Sequence, residues 1–307
     1  MQKIIETRSL TKKFGSFTAV DNIAISVHKG EIYGFLGLNG AGKTTTIRML
    51  LGMIRPSAGE CFLNGIRVAA GVKGLWNKVG YLVEIPYSYP ELSVRENLEI
   101  VRRLRFIPDA KAVDAIMERL NITQYAERQA KHLSLGNAQR LGLAKTMMHN
   151  PEILILDEPA NGLDPAGIVE IRELLHGFAR DNGVTIFISS HILGEISKFA
   201  TRIGIIHKGR ILQEISTADL VDYRKHRLLI GVRDEKRGVS ILSEKGISAK
   251  ISDDRLIEIT DENAITDSEK INVMFVQAGC PPSMIRIEEE DLESYFLRVI
   301  GNDGGAQ

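Results

Sequence analysis

The sequence has few cysteines and no long apolar run. Only Cys61 and Cys280 occur in 307 residues, and neither has metal-ligand spacing, so we expect reduced thiols in a cytosolic protein. The longest apolar stretches, such as ILIL at 153–156, are far shorter than the roughly 20 residues that span a bilayer. The N-terminal residues also lack the apolar segment of a secretory signal. The sequence therefore predicts neither a disulfide scaffold nor a membrane-spanning helix.

An excess of charge of either sign is also absent. Lys and Arg together number 39, as do Asp and Glu. A balanced chain has no global field that attracts nucleic acid or an anionic membrane surface, and we expect no nucleic-acid partner. Apolar residues make up 44% and charged residues 25%, which is typical of a globular protein long enough for two or three domains.

Hydrophobic periodicity divides the first part of the chain into three kinds of structure. Residues 1–30 are predicted as short strands. The region over about 86–150 is helical, and Ser93 with Glu96 forms a capping box for one of its helices. Over 151–215 strands and helices alternate, which indicates a parallel sheet with helices on its faces.

The pattern changes near residue 222. Residues 222–301 mix short strands with helices, of which SEKINVMFVQAG and DLESYFLRVIG are the clearest. We therefore predict a large α/β domain over 1–221 and a small α+β domain over 222–301. No motif in the small domain indicates chemistry, and residues 302–307 are predicted to be a disordered tail.

A glycine-rich loop is the first motif that indicates chemistry. GLNGAGKTT lies between a predicted strand and a predicted helix and matches the phosphate-binding loop pattern. Its glycines let consecutive backbone N–H groups face an anion, and the helix N-terminus adds partial positive charge. Lys43 can neutralise the β- and γ-phosphates, while Thr44 offers a hydroxyl to Mg²⁺. The predicted phosphate-binding residues are Gly37, Leu38, Asn39, Gly40, Ala41, Gly42, Lys43, Thr44 and Thr45.

A second motif indicates which reaction takes place at this loop. The buried strand in ILILDE ends at Asp157 and Glu158, at the edge where open α/β sheets bind ligands. Asp157 suits the Mg²⁺ shell, and Glu158 can act as general base on a water molecule. Alone, this motif also fits an ordinary strand end, but paired with the glycine loop it predicts nucleotide hydrolysis. GTP is disfavoured because the guanine-reading Asn-Lys-x-Asp motif is absent.

Three further segments are expected near the same site. Ser134 and Gly136, in LSLGN, begin a predicted helix, where a simple N-cap is the alternative. Asp164 precedes Pro165 and also fits a helix N-cap. His191 follows a predicted strand, and a lone histidine there is usually structural. The order of all these segments along the chain favours a shared site.

In this order the motifs over 1–215 resemble the nucleotide-binding subunits of ABC transporters. The resemblance implies a P-loop NTPase fold with a parallel core sheet, an antiparallel β subdomain and a helical subdomain. It implies that Phe14 stacks on the adenine of ATP, and that Asp157 serves Mg²⁺. It also implies that Glu158 and Lys43 act in hydrolysis, with His191 contacting the γ-phosphate.

The same resemblance implies partners. Ser134 and Gly136 would reach the nucleotide of a second subunit, so that two copies enclose two ATP molecules, and Asp164 would communicate across that homodimer. A separate membrane permease would contact the chain near Pro86–Pro90 and hold it at the cytoplasmic face of the plasma membrane. The alternative for this aromatic stretch is that its rings pack internally.

Two departures from the family pattern narrow the resemblance. LSLGN replaces the usual LSGGQ, and Glu84 stands where the family has glutamine. The Glu84 carboxylate can ligate Mg²⁺ or hold the attacking water, but it adds negative charge near the γ-phosphate. Together with SSHIL and DLESYFLRVIG, these features resemble the ATPases of bacitracin and lantibiotic self-protection exporters over nearly the whole chain.

Several other functions stay open at this stage. A general multidrug or other ABC exporter would use the same motifs. Soluble ABC ATPases that act on ribosomes or DNA carry two cassettes or a long coiled coil, and this sequence has neither. A regulatory module that binds nucleotide without turnover is disfavoured by the presence of Glu158 and His191.

Overall fold

Strands and helices alternate along the larger of two compact units, Met1–Ala218. The computed structural model describes residues 2–72, 74–83, 87–252 and 254–301. The strands of this unit are β1 (Lys3–Phe14), β2 (Phe17–Ile23), β3 (Ser26–His28), β4 (Ile32–Leu36), β5 (Ala58–Leu63), β6 (Ile66–Arg67), β7 (Val79–Leu82), β8 (Ile153–Asp157), β9 (Thr185–Ser190), β10 (Arg202–His207) and β11 (Arg210–Ser216). Its helices are α1 (Lys43–Leu50), α2 (Val94–Leu104), α3 (Ala112–Arg119), α4 (Leu135–Met147), α5 (Pro165–Asn182) and α6 (Leu193–Phe199).

The N-terminal segments form the predicted antiparallel sheet. Its strand order is β2-β1-β5-β6, and β3 also pairs with β1. β1 is longer than the sequence indicates, because its polar end still pairs with β2 as far as Phe14 opposite Phe17. That pairing places Phe14 at the tip of a hairpin.

The second sheet of this unit is the predicted parallel sheet. Its order is β11-β10-β4-β9-β8-β7, and only the pair formed by β10 and β11 is antiparallel among its described strands. Every residue of β4, β8 and β9 is buried, as expected for strands covered on both faces. In register, Leu36 lies opposite Ser190, and Asp157 lies opposite Ser189. The carboxyl ends of the three central strands therefore meet at one edge.

Helices α2 to α4 occupy the region predicted to be helical. The capping box is confirmed, since the Ser93 hydroxyl accepts from the Glu96 N–H and the Glu96 carboxylate accepts from the Ser93 N–H. Within the described ranges, no helix combines the length and the apolar character needed to cross a lipid bilayer. The fold predicted from the sequence, an α/β cassette with an antiparallel β subdomain and a helical subdomain, is confirmed.

The smaller unit, Asp219–Gln307, has its own sheet and core. Its sheet order is β13-β14-β12-β15, all antiparallel, and buried Leu228, Ile230, Ile257 and Phe275 belong to its core. The predicted tail over 302–307 lies outside the described residues. The elements are β12 (His226–Gly231), α7 (Glu235–Glu244), β13 (Ala249–Ile251), β14 (Ile257–Ile259), α8 (Glu262–Thr266), α9 (Ser268–Gln277), β15 (Met284–Glu289) and α10 (Leu292–Gly301).

Candidate active site

The glycine loop connects the end of β4 to the start of α1. Gly42 has a φ of 108°, and a Cβ atom there would lie 2.6 Å from the carbonyl oxygen of Ala19. At Gly37 a Cβ atom would lie 2.5 Å from the carbonyl oxygen of Ile206. Both positions therefore require glycine. Gly42 is also the N-cap of α1, and because it has no side chain to accept hydrogen bonds, N–H groups of the first turn remain available to an anion.

Lys43 places a buried cation beside this loop. Its Nζ donates to the carbonyl oxygen of Gly37 at 2.6 Å, which holds the ammonium group over the loop. The same Nζ lies 3.3 Å from Oε1 of Glu158. The loop thus has one cation in position to meet a phosphate, and in this structure that cation is paired with a carboxylate.

Side-chain oxygen atoms that could ligate a cation meet at the end of β8. The Thr44 hydroxyl donates to Oδ2 of Asp157 at 2.8 Å, and the Ser189 hydroxyl donates to Oδ1 at 2.5 Å. A hydroxyl and a carboxylate beside a phosphate-binding loop are the hard oxygen ligands that Mg²⁺ prefers. The described residues contain no group of three or more His, Cys, Asp or Glu side chains that could hold a metal ion. The oxygen atoms of Thr44 and Asp157 fit Mg²⁺.

Glu158 connects the glycine loop to His191, which follows β9. Its Oε1 faces Lys43, and its Oε2 lies 2.9 Å from Nδ1 of His191. The Glu158 N–H donates to the Ser189 hydroxyl at 3.0 Å. The structure therefore brings together the residues predicted for hydrolysis from three separate strand ends: Lys43, Thr44, Asp157, Glu158 and His191.

The other predicted residues do not join this cluster. The Ser134 hydroxyl accepts from the Asn137 N–H at 3.3 Å, and Asp164 Oδ1 accepts from the Gly167 N–H at 2.9 Å. Both side chains therefore act as helix N-caps, which was the alternative for each. Across the described ranges, no hydrogen bond or ion pair links Ser134, Gly136 or Asp164 to the cluster.

Aromatic side chains with predicted roles lie on the surface. Phe14 is 52% exposed, and Lys12 Nζ lies 4.9 Å from the centre of its ring. Tyr87 is 74% exposed, and its ring meets that of Tyr89 edge-on with centres 5.8 Å apart. The alternative in which these two tyrosines pack internally is therefore wrong. Glu84 and Pro86 lie outside the described residues.

Two residues that contact the site were not predicted from the sequence. Ser189 is fully buried and contacts both Asp157 and Glu158. Gln139 is buried in α4, and its Nε2 donates to the carbonyl oxygen of Pro159 at 2.9 Å. The only signals in the sequence were a polar residue at the end of a buried strand and an amide on the buried side of a helix.

Comparisons with known proteins give the same family. Residues 20–161 match the family described as "ABC transporter". The chain is 40% identical over 304 residues to the bacitracin transport ATP-binding protein BcrA of Bacillus licheniformis, covering 98% of each. It is 35% identical over 211 residues to the lantibiotic transport ATP-binding protein SrtF of Streptococcus pyogenes, covering 69% of this chain and 90% of that protein.

A solved structure extends the agreement to the fold. It is described as the structure of an ATP binding subunit of an ABC transporter, with 26% identity and a TM-score of 0.65. The match covers 71% of this chain and 92% of that one. The predicted family is thereby confirmed: this chain belongs to the ATP-binding subunits of ABC transporters.

Proposed function

We propose that this chain hydrolyses ATP to power a separate permease that exports a peptide antibiotic such as bacitracin or a lantibiotic. The observation that supports the hydrolysis site is the position of Glu158, whose carboxylate lies between Lys43 and His191. The observation that supports the cargo class is the 40% identity over nearly the whole chain to a bacitracin transport ATP-binding protein.

Nucleotide binding starts at the glycine loop. The N–H groups of the loop and of the first turn of α1 receive the phosphates, and the exposed ring of Phe14 stacks on adenine. Lys43 exchanges its carboxylate partner for the β- and γ-phosphates, which frees Glu158. Thr44 and Asp157 would hold Mg²⁺, which neutralises charge that develops on the phosphates during hydrolysis.

Hydrolysis then depends on Glu158 and His191. A water oxygen attacks the γ-phosphorus, and the bond from that phosphorus to the β–γ bridging oxygen breaks. Glu158 accepts the proton from the attacking water. His191 contacts Oε2 of Glu158 at 2.9 Å, which orients the carboxylate, and it lies on the same sheet edge as the loop that holds the γ-phosphate.

A second copy of the chain completes each site. Ser134 and Gly136 lie at the N-terminus of α4, and their local contacts leave the helix N-terminus able to meet an anion on another subunit. Closure of two copies over two ATP molecules moves the permease, and hydrolysis followed by phosphate release reopens the dimer. Asp164, at the start of α5, lies in the segment that would communicate across the interface between the two copies.

The permease docks beside the exposed aromatic residues near Pro90. A groove of about 490 Å³ is lined by residues that include Tyr81, Tyr87, Leu104 and Lys145. Burial lowers the pKa of Lys145 to about 8, so its ammonium group remains mostly protonated at pH 7. An amphipathic cytoplasmic helix of the permease fits such an apolar groove. This contact would hold the chain at the cytoplasmic face of the plasma membrane.

Antibiotic protection tests the cargo class. We expect that expression of the chain together with the permease that it serves raises the bacitracin or lantibiotic concentration needed to stop growth of a sensitive bacterium. Lys43→Ala in the same pair should remove the protection. Unchanged sensitivity to every peptide antibiotic tested, despite measured ATPase activity, would contradict this cargo. Co-purification with ribosomes instead of a membrane protein would contradict the transporter role.

We expect Glu84 to modify the rate of ATP hydrolysis without being required for it. We expect Glu84→Gln to change the ATPase rate at low Mg²⁺ and its dependence on pH, because the substitution removes a titratable negative charge that the family resemblance places near the γ-phosphate. Phosphate release measured over a Mg²⁺ series at several pH values checks this. Identical Mg²⁺ and pH profiles for the two proteins would show that Glu84 does not face the nucleotide.

A further inference from the structure

The main chain at Glu158 has an unusual conformation. Its φ is 49°, in the left-handed region that residues other than Gly, Asn and Asp rarely adopt. A conformation of this kind persists only where the surrounding structure holds it. The contacts made by the main-chain polar groups of Glu158 and Pro159 show what holds it.

Two buried polar side chains contact main-chain groups at Glu158 and at the residue that follows it. The Ser189 hydroxyl accepts from the Glu158 N–H at 3.0 Å, and Gln139 Nε2 donates to the carbonyl oxygen of Pro159 at 2.9 Å. Ser189 is 0% and Gln139 3% exposed, so water does not compete for either bond. The two side chains come from β9 and α4, which approach Glu158 from different elements.

We propose that Ser189 and Gln139 are positioning residues that clamp the main chain around Glu158. The proposal rests on the proposed role of Glu158 as general base. Ser189 also donates to Oδ1 of Asp157, which turns Oδ2 toward Thr44 at 2.8 Å. One hydroxyl thus contacts both the carboxylate of Asp157 and the main-chain N–H of Glu158.

The Gln139 side of the clamp also connects Glu158 to helix α4. Leu135, in the first turn of this helix, packs against Gly162, where a Cβ atom would lie 2.2 Å from Leu135 Cδ2. Farther along, Arg140 forms an ion pair with Glu170 at 2.6 Å. These contacts fasten α4 to the segment that follows Glu158, so a displacement of the helix moves that segment with it.

This connection makes the alignment of the base depend on the helix that carries Ser134. In the proposed dimer, Ser134 contacts the nucleotide of the other subunit. Docking of α4 on that nucleotide would therefore set the position of Glu158 in the subunit to which the helix belongs. The clamp supplies a physical route by which one site is aligned only when the other is filled.

Two variants test the clamp. We expect Ser189→Ala and Gln139→Leu each to lower kcat about tenfold or more, since small misplacements of a catalytic group are costly. The affinity for ATP measured without Mg²⁺ should stay unchanged, because neither side chain contacts the glycine loop. Phosphate release at saturating ATP gives kcat, and binding of a fluorescent ATP analogue gives affinity. Both are measured below the melting temperature of each variant.

Matched controls separate positioning from stability. Thr185→Val removes a buried hydroxyl at the other end of β9, where Oγ1 accepts from the Gly30 N–H at 3.1 Å. Gln129→Leu removes a side-chain amide that donates to the main-chain carbonyl of Glu91 at 3.1 Å. Both controls should lower the melting temperature and leave kcat unchanged.

Further variants distinguish a failure of the proposed function from a failure of the clamp. Glu158→Gln is measured in parallel, and turnover by that variant would contradict the proposed function. If Glu158→Gln stops turnover while Ser189→Ala and Gln139→Leu keep the wild-type kcat, the clamp is wrong. A loss at Ser189 alone would contradict the connection to α4. Because both side chains hold one segment, the double variant should lose less than the product of the single losses, and Ser189→Thr should restore most of kcat.

Discussion

Replacement of Glu158 by glutamine is expected to stop ATP hydrolysis without preventing ATP binding. The amide cannot accept the proton of the attacking water, and general-base contributions of this kind are worth about 10² to 10⁴ in rate. The glycine loop and Lys43 remain intact, so ATP still binds. The substitution also removes one negative charge that competes with the phosphates for Lys43, which lies 3.3 Å from Oε1. We therefore expect equal or tighter binding of ATP.

With ATP bound and no hydrolysis, the Glu158→Gln protein should accumulate as a dimer. Phosphate release measures the loss of turnover, and light scattering after size-exclusion chromatography with ATP measures the mass. Glu152→Gln is a matched control, because Glu152 pairs with Lys78 at 2.8 Å at the opposite end of β8. That control should hydrolyse ATP normally. A Glu158→Gln protein that stays monomeric at saturating ATP would contradict the shared-site dimer.

The sequence was sufficient to predict those site residues that lie directly after a buried strand. The glycine loop, the carboxylates after ILIL and the histidine after IFISS each follow a buried strand within a few residues. Parallel strands with buried faces align their carboxyl ends, so the meeting of Lys43, Asp157 and His191 could be predicted before any coordinates. The capping box at the start of α2 was predictable for the same reason, because its two residues interact over one helical turn.

The clamp around Glu158 could not be predicted in this way. The contact between Ser189 and Asp157 depends on the register of β9 against β8, and a shift by one residue would turn the hydroxyl to the other face. The contact of Gln139 depends on the packing of α4 over the loop that follows β8. The left-handed φ of Glu158 was also hidden, because glutamate carries no general preference for that region.

Replacement of Lys43 by alanine is expected to weaken ATP binding and to abolish hydrolysis, because the cation that meets the β- and γ-phosphates is lost. The Lys43 ammonium is buried and held 2.6 Å from the carbonyl oxygen of Gly37, so its position is set before nucleotide arrives. Loss of one partner of a desolvated charge pair weakens binding by about 100-fold, which corresponds to about 2.7 kcal/mol. Titration with a fluorescent ATP analogue measures this loss, and phosphate release should fall to background at cellular ATP concentrations.

A second substitution separates the effect of losing the Lys43 charge from the effect of losing its packing. Lys43→Met keeps most of the apolar stem and removes only the charge, so it should lose as much ATP affinity as Lys43→Ala. Lys78→Ala, at the opposite end of β8, should bind ATP normally although it also breaks an ion pair with a glutamate. If Lys43→Met binds ATP like the unmodified protein, the ammonium group does not contact the phosphates. In that case the buried pair of Lys43 with Glu158 would be a structural ion pair, and the glycine loop would have to bind the phosphates through its backbone N–H groups alone.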